Sequence, residues 1–296
     1  MRSTALVSLI SCLFVLGACE TRTTLDAAVD VDAAPGDAGH DAAVDSGPPV
    51  DAGPRLDDVL IYAHSRDTLY TFSAYTNTVN EIGLFELPDG SAAPFMLDIA
   101  VDSEGVVFTS SQEALFTVDV MTAVVTQVGE FGLGSDQLFA LSFLTPTESP
   151  DGTEMLVGAT NAGAYYSVDR NTASTALLGN YPDGWGSSGD IVSVDGLGTF
   201  ATLRRMDFTG DVLARIIFAR DGSSTVTVIG PTRSASEDFS ELFGLGYWGR
   251  DLFGFTNSGQ LLRIDRTTGA AEVVTTATGS SQFWGAGVTT IVPVLI

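Results

Sequence analysis

A run of four short β-strands recurs along the sequence, and this repeat constrains the fold more than any other feature. Its clearest copy is Asp98–Gly129, where stretches rich in β-branched and aromatic residues alternate with turn residues. The predicted strands of this copy are Asp98–Asp102, Val106–Ser110, Leu115–Asp119 and Ala123–Val128. A four-stranded unit of about 40–50 residues indicates one blade of a β-propeller.

The third strand of the unit locates the other copies. In each copy it is followed by a turn and then by a strand rich in Val and Thr. We place its starts 46, 50, 50 and 46 residues apart, at Leu69, Leu115, Tyr165, Arg215 and Leu261. This spacing predicts five blades.

The first strand of the unit carries large apolar side chains on one face and small residues on the other. Ile99 and Val101 alternate with Ala100, and Phe243 and Leu245 flank Gly244. Innermost strands converge on the central channel, where a ring with few blades is narrowest, so small residues relieve crowding there. Glycine weakens a strand, and its recurrence at these positions predicts close approach of backbones.

The two ends of the repeat region complement each other. The last first strand, Trp284–Val292, has no further strands after it, whereas Val59–Leu84 has three strands but lacks a first one. We expect the C-terminal strand to complete the N-terminal blade, because closure removes the exposed edges of an open array. The predicted fold is all-β: a five-bladed β-propeller of four-stranded blades over residues 59–296.

The N-terminal region has a different composition. Residues 1–18 contain Arg2 and an apolar run from Ala5 to Leu16, which is typical of a secretory signal peptide. Residues 19–58 are rich in Asp, Ala, Gly and Pro and have few large apolar residues. Such a segment cannot bury a core, so we expect a disordered tether in an exported protein.

The end of the signal peptide resembles a known processing site. Leu16-Gly17-Ala18-Cys19 is similar to the lipobox of bacterial lipoproteins, in which the cysteine becomes the first residue and carries the lipid. The resemblance implies lipidation of Cys19 and attachment to a membrane through that lipid alone. Glu20, rather than an aspartate, follows the cysteine, which implies the outer membrane, on either its periplasmic or its surface side.

The repeat itself also resembles known propellers. Asp98-Ile-Ala-Val-Asp-Ser-Glu-Gly105 and Leu115-Phe-Thr-Val-Asp119 are similar to blades of NHL-type and related bacterial propellers. The second phrase also resembles the "LYxIDxxTG" blades of uncharacterised secreted propeller proteins. The resemblance extends from about Val59 to the C-terminus and is weakest over Thr199–Thr232. It implies a fold and not an activity.

Composition excludes several classes of function. A formal net charge of −24 argues against binding to nucleic acid and against electrostatic docking on anionic lipid. The chain has no lysine, so Schiff-base chemistry is excluded. The only cysteines are Cys12 and Cys19, and the only histidines are His40 and His64, so a multi-histidine zinc site cannot form. We expect no cofactor; calcium, held by oxygen atoms, is the metal ion that such a chain could bind.

Candidate site residues lie in the loops that precede first strands or, for Asp98, Asp190 and Glu241, where those strands begin. In propellers these loops share one face with the loops between second and third strands, and here they hold aromatic residues beside carboxylates. We expect a monomer whose partner is an envelope protein or a glycan. The predicted ligand-binding residues are Asp98, Asp136, Tyr181, Trp185, Asp190, Asp238 and Glu241.

These residues allow several interpretations. Aspartates at strand entrances often cap backbone donors within turns. Aromatics beside carboxylates can instead form a binding rim. A third interpretation is hydrolysis, with Asp98, Asp190 and Glu241 as acid and base, as in five-bladed glycoside hydrolases. A calcium-dependent, lactonase-like hydrolase would use Asn161, Asn257 and Asp98. We expect a non-catalytic binding or scaffolding module of the bacterial envelope, with hydrolysis as the alternative.

Overall fold

The computed structural model describes residues 55–207 and 209–295. Within these ranges the chain forms twenty β-strands, arranged as five four-stranded antiparallel sheets, and contains no α-helix. The predicted all-β propeller with five four-stranded blades is therefore confirmed. The predicted signal peptide, Cys19 and the tether up to residue 54 lie outside the described residues. No helical segment in the described part of the chain has the length and apolar character needed to cross a membrane.

Each blade is a meander of neighbouring strands. Blade 1 contains β1 (Ile61–His64), β2 (Thr68–Ser73), β3 (Thr78–Leu84) and β20 (Gly285–Gly287). Blade 2 contains β4 (Met96–Val101), β5 (Val107–Ser111), β6 (Ala114–Val118) and β7 (Val125–Glu130). Blade 3 contains β8 (Ala140–Leu144), β9 (Met155–Ala159), β10 (Ala164–Val168) and β11 (Thr175–Asn180). Blade 4 contains β12 (Gly186–Val194), β13 (Gly198–Arg204), β14 (Val212–Phe218) and β15 (Ser224–Pro231). Blade 5 contains β16 (Leu242–Trp248), β17 (Asp251–Thr256), β18 (Leu261–Ile264) and β19 (Ala271–Thr275).

Blade 1 combines strands from both ends of the described chain. Strand β20 pairs antiparallel with β1, with Ala63 opposite Ala286, and the Trp284 N–H donates to the His64 carbonyl at 2.8 Å. The innermost strands contact one another in the ring order β20, β4, β8, β12, β16 and back to β20. Aromatic packing supports the junction of blades 1 and 5, where the Phe72 ring lies 5.1 Å from that of Phe253.

In the third strand of blade 4, the position equivalent to Leu115 lies two residues earlier than the repeat predicts. Leu213 pairs with Gly230 beside a β-bulge, as Leu115 does with Gly129 in blade 2, so Leu213 and not Arg215 is the equivalent position. The placement at Arg215 was wrong because a shift of two residues leaves every side chain on the same face of a strand. Hydrophobic alternation alone therefore cannot detect such a shift.

Glycines in the outermost strands allow neighbouring blades to touch. In blades 2, 3 and 4 a glycine lies at a bulge, and a Cβ added there would overlap a backbone carbonyl in the next blade. At Gly179 the added Cβ would overlap the Gly222 carbonyl oxygen and lie 2.6 Å from Tyr165 Oη. At Gly83, the equivalent position in blade 1, the nearest atom would be 3.9 Å away.

The two faces of the propeller differ. The entry face is the side where first strands begin, with loops 85–95, 131–139, 181–185, 232–241 and 276–284. The closed face is the opposite side, where segment 288–295 contacts chain segments of the other four blades. Its contacts are Thr289 Oγ1 to the Asp102 carbonyl (2.8 Å), Thr290 Oγ1 to Glu154 Oε1 (2.7 Å), the Asp195 N–H to the Thr290 carbonyl (2.8 Å) and the Leu295 N–H to the Gly249 carbonyl (3.0 Å).

An ion cluster reinforces the closed face. The Arg170 guanidinium pairs with the buried Asp102 carboxylate and lies 3.5 Å from Glu154 Oε2. The same guanidinium lies over the Phe143 and Phe108 rings, 5.1 and 5.5 Å from their centroids. This face therefore uses its charged groups to join blades 2 and 3 to segment 288–295.

The glycine contacts predict unequal effects of the same substitution at two equivalent positions. Gly179→Ala should destabilise the fold by about 1–3 kcal/mol, because its new methyl group overlaps the next blade. Gly83→Ala is the matched control and should be neutral or stabilising by up to about 1 kcal/mol. Urea unfolding of the two variants checks the difference, and equal free energies of unfolding would contradict the blade contact described here.

Candidate functional site

Five equivalent positions on the innermost strands surround the channel, and two of them are aspartates. Cross-strand pairing establishes the equivalence in four blades, and in blade 4 the Asp190 N–H faces Thr202 Oγ1 at 3.2 Å. The channel ring, in the order of blades 2, 3, 4, 5 and 1, is Asp98, Ala140, Asp190, Gly244 and Gly285. Two carboxyl groups therefore occupy the space that three small residues leave free.

Backbone amides of neighbouring blades hold both carboxyl groups. Asp98 accepts hydrogen bonds from its neighbour Ile99 (2.8 Å) and from the N–H of Leu141 in blade 3 (2.5 Å). Asp190 accepts them from Ile191 (2.6 Å) and from the N–H of Leu245 in blade 5. Neither aspartate is exposed to solvent. The pair thus links blade 2 to blade 3 and blade 4 to blade 5.

The two carboxyl groups interact with each other inside the channel. Burial raises the pKa of both Asp98 and Asp190 well above the ordinary value, and the charge on Asp190 raises the pKa of Asp98 further. Two buried carboxyl groups this close cannot both ionise readily. The pair therefore holds a proton to higher pH than ordinary aspartates do.

Glycine completes the channel ring beside Asp98. A Cβ on Gly285 would overlap Asp98 Oδ1 and lie 2.5 Å from His64 Nε2. His64 is fully buried, its Nδ1 lies 2.6 Å from the Ser65 carbonyl oxygen, and its Nε2 has no hydrogen-bond partner among the described residues. Burial lowers the pKa of His64 to about 4, so this imidazole is neutral near pH 7.

The third predicted carboxylate lies apart from this pair. Glu241 is exposed on the entry face, where its Oε2 accepts a hydrogen bond from Asn257 Nδ2 at 3.2 Å. Asp98 and Asp190, by contrast, are sealed from solvent and already bonded to backbone amides. An acid–base pair must reach its substrate, so this geometry does not support hydrolysis by Asp98, Asp190 and Glu241.

The other predicted site residues are divided between core and surface. Tyr181 is buried and packs on Tyr165, with ring centroids 5.4 Å apart, because it lies where blades 3 and 4 meet. Trp185 is buried in the same cluster, beneath the Arg205 guanidinium at 4.5 Å. Asp136 and Asp238 are exposed, and Asp136 Oδ2 accepts a hydrogen bond from a tyrosine hydroxyl at 3.2 Å.

The described residues form no metal-binding cluster that would support the calcium hypothesis. Asn257 is bonded to Glu241, and Asn161 is exposed on the entry face. Within the described ranges, no group of three or more His, Cys, Asp and Glu side chains is arranged to hold a metal ion.

A polar cavity of about 410 Å³ opens on the entry face, between blades 3, 4 and 5. Arg204, Arg205, Asp211 and Glu241 contribute charges of both signs to its wall. The Asp211 carboxylate accepts a hydrogen bond from a backbone N–H at 2.9 Å, and burial raises its pKa. A cavity of this size with convergent polar groups is suited to a small polar ligand.

An aromatic cluster surrounds a second cation on the same face. The Arg66 guanidinium lies 4.5 Å from the Phe95 ring centroid and 4.7 Å from that of Trp284. Trp284 in turn packs against Phe243 at 5.6 Å. Phe243 and Trp284 each precede a glycine of the channel ring. The sequence held one signal that could have revealed this cluster: in these first strands, a large side chain comes directly before a small one.

A second cavity adjoins the aromatic cluster. It measures about 510 Å³ and is bounded by Phe95, which is 61% exposed, and by residues of blade 2. Its polar wall comes from Ser111 and from exposed glutamine and glutamate side chains: Gln112, Glu113, Gln127 and Glu130.

The similarities between this chain and known proteins are distant. Neither a protein-family model nor a curated protein matches the chain. A structural genomics protein of unknown function from Bacteroides thetaiotaomicron is 12% identical with a TM-score of 0.44, over 75% of this chain and 56% of the other. This chain thus spans little more than half of that protein. The WD40 β-propeller domain of Doa1 is 13% identical with a TM-score of 0.43, over 78% of this chain and 83% of the other.

A third solved structure is similarly distant from this chain. A protein of unknown function from Bacteroides caccae is 11% identical with a TM-score of 0.37, over 73% of this chain and 72% of the other. Similarities this distant carry no argument about function.

The raised pKa values of Asp98 and Asp190 predict that stability depends on pH. A carboxyl group with a raised pKa in the folded state binds more protons than in the unfolded chain, where aspartate titrates near about 3.9. The contribution of the Asp98–Asp190 pair to stability should therefore be greatest in acid and fall as pH rises above about 4. Asp98→Asn should reduce this dependence, as measured by urea unfolding at several pH values between 4 and 8.

Two further groups complete the design of this experiment. His64 contributes with the opposite sign, because its lowered pKa removes stability as pH falls from about 6.5 towards 4, but it is present in both proteins. Asp89→Asn is the control: Asp89 is exposed, and its hydrogen bonds to Ser91 lower its pKa. An unchanged pH dependence in Asp98→Asn would contradict a raised pKa of Asp98 in the channel.

Proposed function

We propose that this protein is an exported, lipid-anchored propeller that acts as a non-catalytic binding or scaffolding module at the bacterial envelope. The observation that carries the proposal is the difference between the two faces. Two cavities and an aromatic cluster open on the entry face, whereas segment 288–295 and the Arg170 ion cluster cover the other end of the channel. These features support the entry face as the proposed binding face.

The buried aspartate pair supports a non-catalytic role. Asp98 and Asp190 use their oxygens to hold backbone amides across blade boundaries, which is a structural task. The small residues around them leave no room for a substrate between the innermost strands. The binding chemistry of this face must then come from the cavities above the ring.

Binding residues on this face differ from those that the sequence suggested. Glu241 lines the polar cavity, and Asp136 and Asp238 are exposed, so these three remain proposed contacts. Trp185 contributes by supporting Arg205 from below. Tyr181, Asp98 and Asp190 are buried and would act only through the shape of the face.

The N-terminal segment supports attachment of the propeller to a membrane. Leu16-Gly17-Ala18-Cys19 supplies a lipidation site, and the acidic segment after it would separate the domain from the lipid. A random coil of this length spans about 35 Å, and like charges extend it further. We therefore propose outer-membrane attachment through Cys19 alone.

Lipid attachment can be tested with a matched pair of cysteine variants. Cys19→Ser should abolish incorporation of labelled palmitate and release the protein from the membrane fraction, because the thiol that carries the lipid is lost. Cys12→Ser changes the other cysteine and should leave both properties intact. Equal labelling of the two variants in bacteria that process lipoproteins would contradict attachment at Cys19.

The binding face can be tested with two exposed methionines. Met206 lines the polar cavity of the entry face and is fully exposed, whereas Met121 is 83% exposed at the turn between the third and fourth strands of blade 2. Met206→Glu should reduce retention of the purified full chain on immobilised envelope glycans and proteins by about tenfold, since it adds a charge to the cavity wall. Met121→Glu should retain wild-type binding.

Two results would contradict this assignment. Loss of retention in Met121→Glu with normal retention in Met206→Glu would place the binding surface on the closed face. No retention of the wild-type chain by any envelope fraction would contradict a binding role altogether.

A further inference from the structure

The side chain of Arg66 is held in place without a polar partner. Phe95 and Trp284 cover the guanidinium at 4.5 and 4.7 Å, and no hydrogen bond or ion pair joins it to any residue in the described part of the chain. An arginine side chain ordinarily loses much rotamer freedom when it is fixed, and here two rings impose that order in advance. Its binding geometry is therefore preformed.

This arrangement leaves the edge of the guanidinium for a ligand. Both rings lie within 4.7 Å of the Arg66 Cζ atom, whereas the N–H donors of a guanidinium lie in its plane and point outward. A planar fork of donors matches a carboxylate, which it binds through two parallel hydrogen bonds. Arg66 is therefore suited to a carboxylate rather than to an aromatic cation or an uncharged amide.

The adjoining cavity has a different chemistry. Phe95 bounds it with its exposed surface, and Gln112, Gln127 and Ser111 provide both donors and acceptors. None of the residues that line this cavity is cationic, and the wall includes two glutamates. An aromatic platform beside amides and carboxylates suits hydroxyl-rich, uncharged rings, whose hydroxyl groups can donate to the glutamates.

Net charge limits how many acidic groups the ligand can carry. The chain has a formal charge of −24, which repels polyanions at long range. Salt screens that repulsion beyond about 8 Å at physiological ionic strength, whereas a carboxylate in contact with Arg66 keeps its attraction. One acidic group on an otherwise neutral ligand satisfies both conditions.

We propose that Arg66, Phe95 and Trp284 bind the carboxylate of a single acidic sugar, while the 510 Å³ cavity beside Phe95 takes the neutral sugars joined to it. This inference rests on the proposed binding role of the entry face and specifies its ligand class: an oligosaccharide that carries one uronic acid.

Two matched oligosaccharides test the ligand class. One probe is cellotetraose in which glucuronic acid replaces the non-reducing glucose, and the other is cellotetraose itself, which has a hydroxymethyl group in place of the carboxylate. By titration calorimetry with the purified full chain, the acidic probe should bind about tenfold or more tightly, the effect of one charged hydrogen-bonded pair. Equal affinities, or no binding of the acidic probe, would overturn the proposal.

Variants assign the preference to particular side chains. Arg66→Gln should abolish the preference for the acidic probe, and Arg66→Lys should restore only part of it, because lysine keeps the charge without the fork. Phe95→Ala should weaken both probes. Arg220→Gln removes an exposed cation from a turn outside the entry face and serves as the control. An unchanged preference in Arg66→Gln would overturn the assignment to this cluster.

Two additional probes separate this ligand from other acidic partners. A fully acidic galacturonate tetramer should bind more weakly than the singly acidic probe, owing to the charge of the protein. An acetylated tetraglutamate peptide should also bind more weakly, and tighter binding of either probe would overturn the proposal. If the sugars fail while the wild-type chain is still retained on immobilised envelope fractions, the ligand class is wrong and the binding role stands.

Discussion

Crowding around the channel is the constraint on which the rest of this structure depends. Five innermost strands meet at an axis so narrow that a Cβ on Gly244 would lie 2.7 Å from the Ala286 side chain. Glycine is therefore required at two positions of the channel ring, Gly244 and Gly285, and the two aspartates fill space that the small residues leave. Once filled, this ring has no capacity for a substrate, so the chemistry open to a ligand must lie in the entry-face loops.

Ring closure determines how the two faces differ. Because β20 supplies the innermost strand of blade 1, the chain that follows it emerges on the closed face and crosses the ends of the other blades. The same closure places Trp284 beside Arg66. Trp284 lies immediately before β20, and Arg66 follows β1 at its entry-face end. One pairing of strands thus covers one face and builds the aromatic cluster of the other.

The sequence was sufficient to predict the number of blades, because strand type and spacing are local signals. It could not determine the start of the third strand in blade 4, because Leu213 and Arg215 are two residues apart and their side chains lie on the same face of the sheet. It placed Asp98 and Asp190 where first strands begin but not inside the ring. That position depends on bulges, which add a residue without changing the apparent pattern.

The candidate site was harder to predict than the fold, because its contacts join distant parts of the chain. Arg66, Phe95 and Trp284 come from three loops separated by up to two hundred or so residues, and no local motif connects them. Trp185 and Tyr181 were predicted as ligand-binding residues of the surface, but both are buried. Their loop is exposed in part, but both side chains turn inward to fill the space between blades 3 and 4.

Native-state hydrogen exchange of the strands that close blade 1 tests the central claim most directly. If β20 and β1 seal a continuous ring, the amide of Trp284 and those paired between Tyr62 and Gly287 should exchange only through global unfolding. Their free energies of exchange should then equal those of the buried β12–β13 pair in blade 4. Exchange at much lower free energy, as in a frayed terminal strand, would contradict the closed ring.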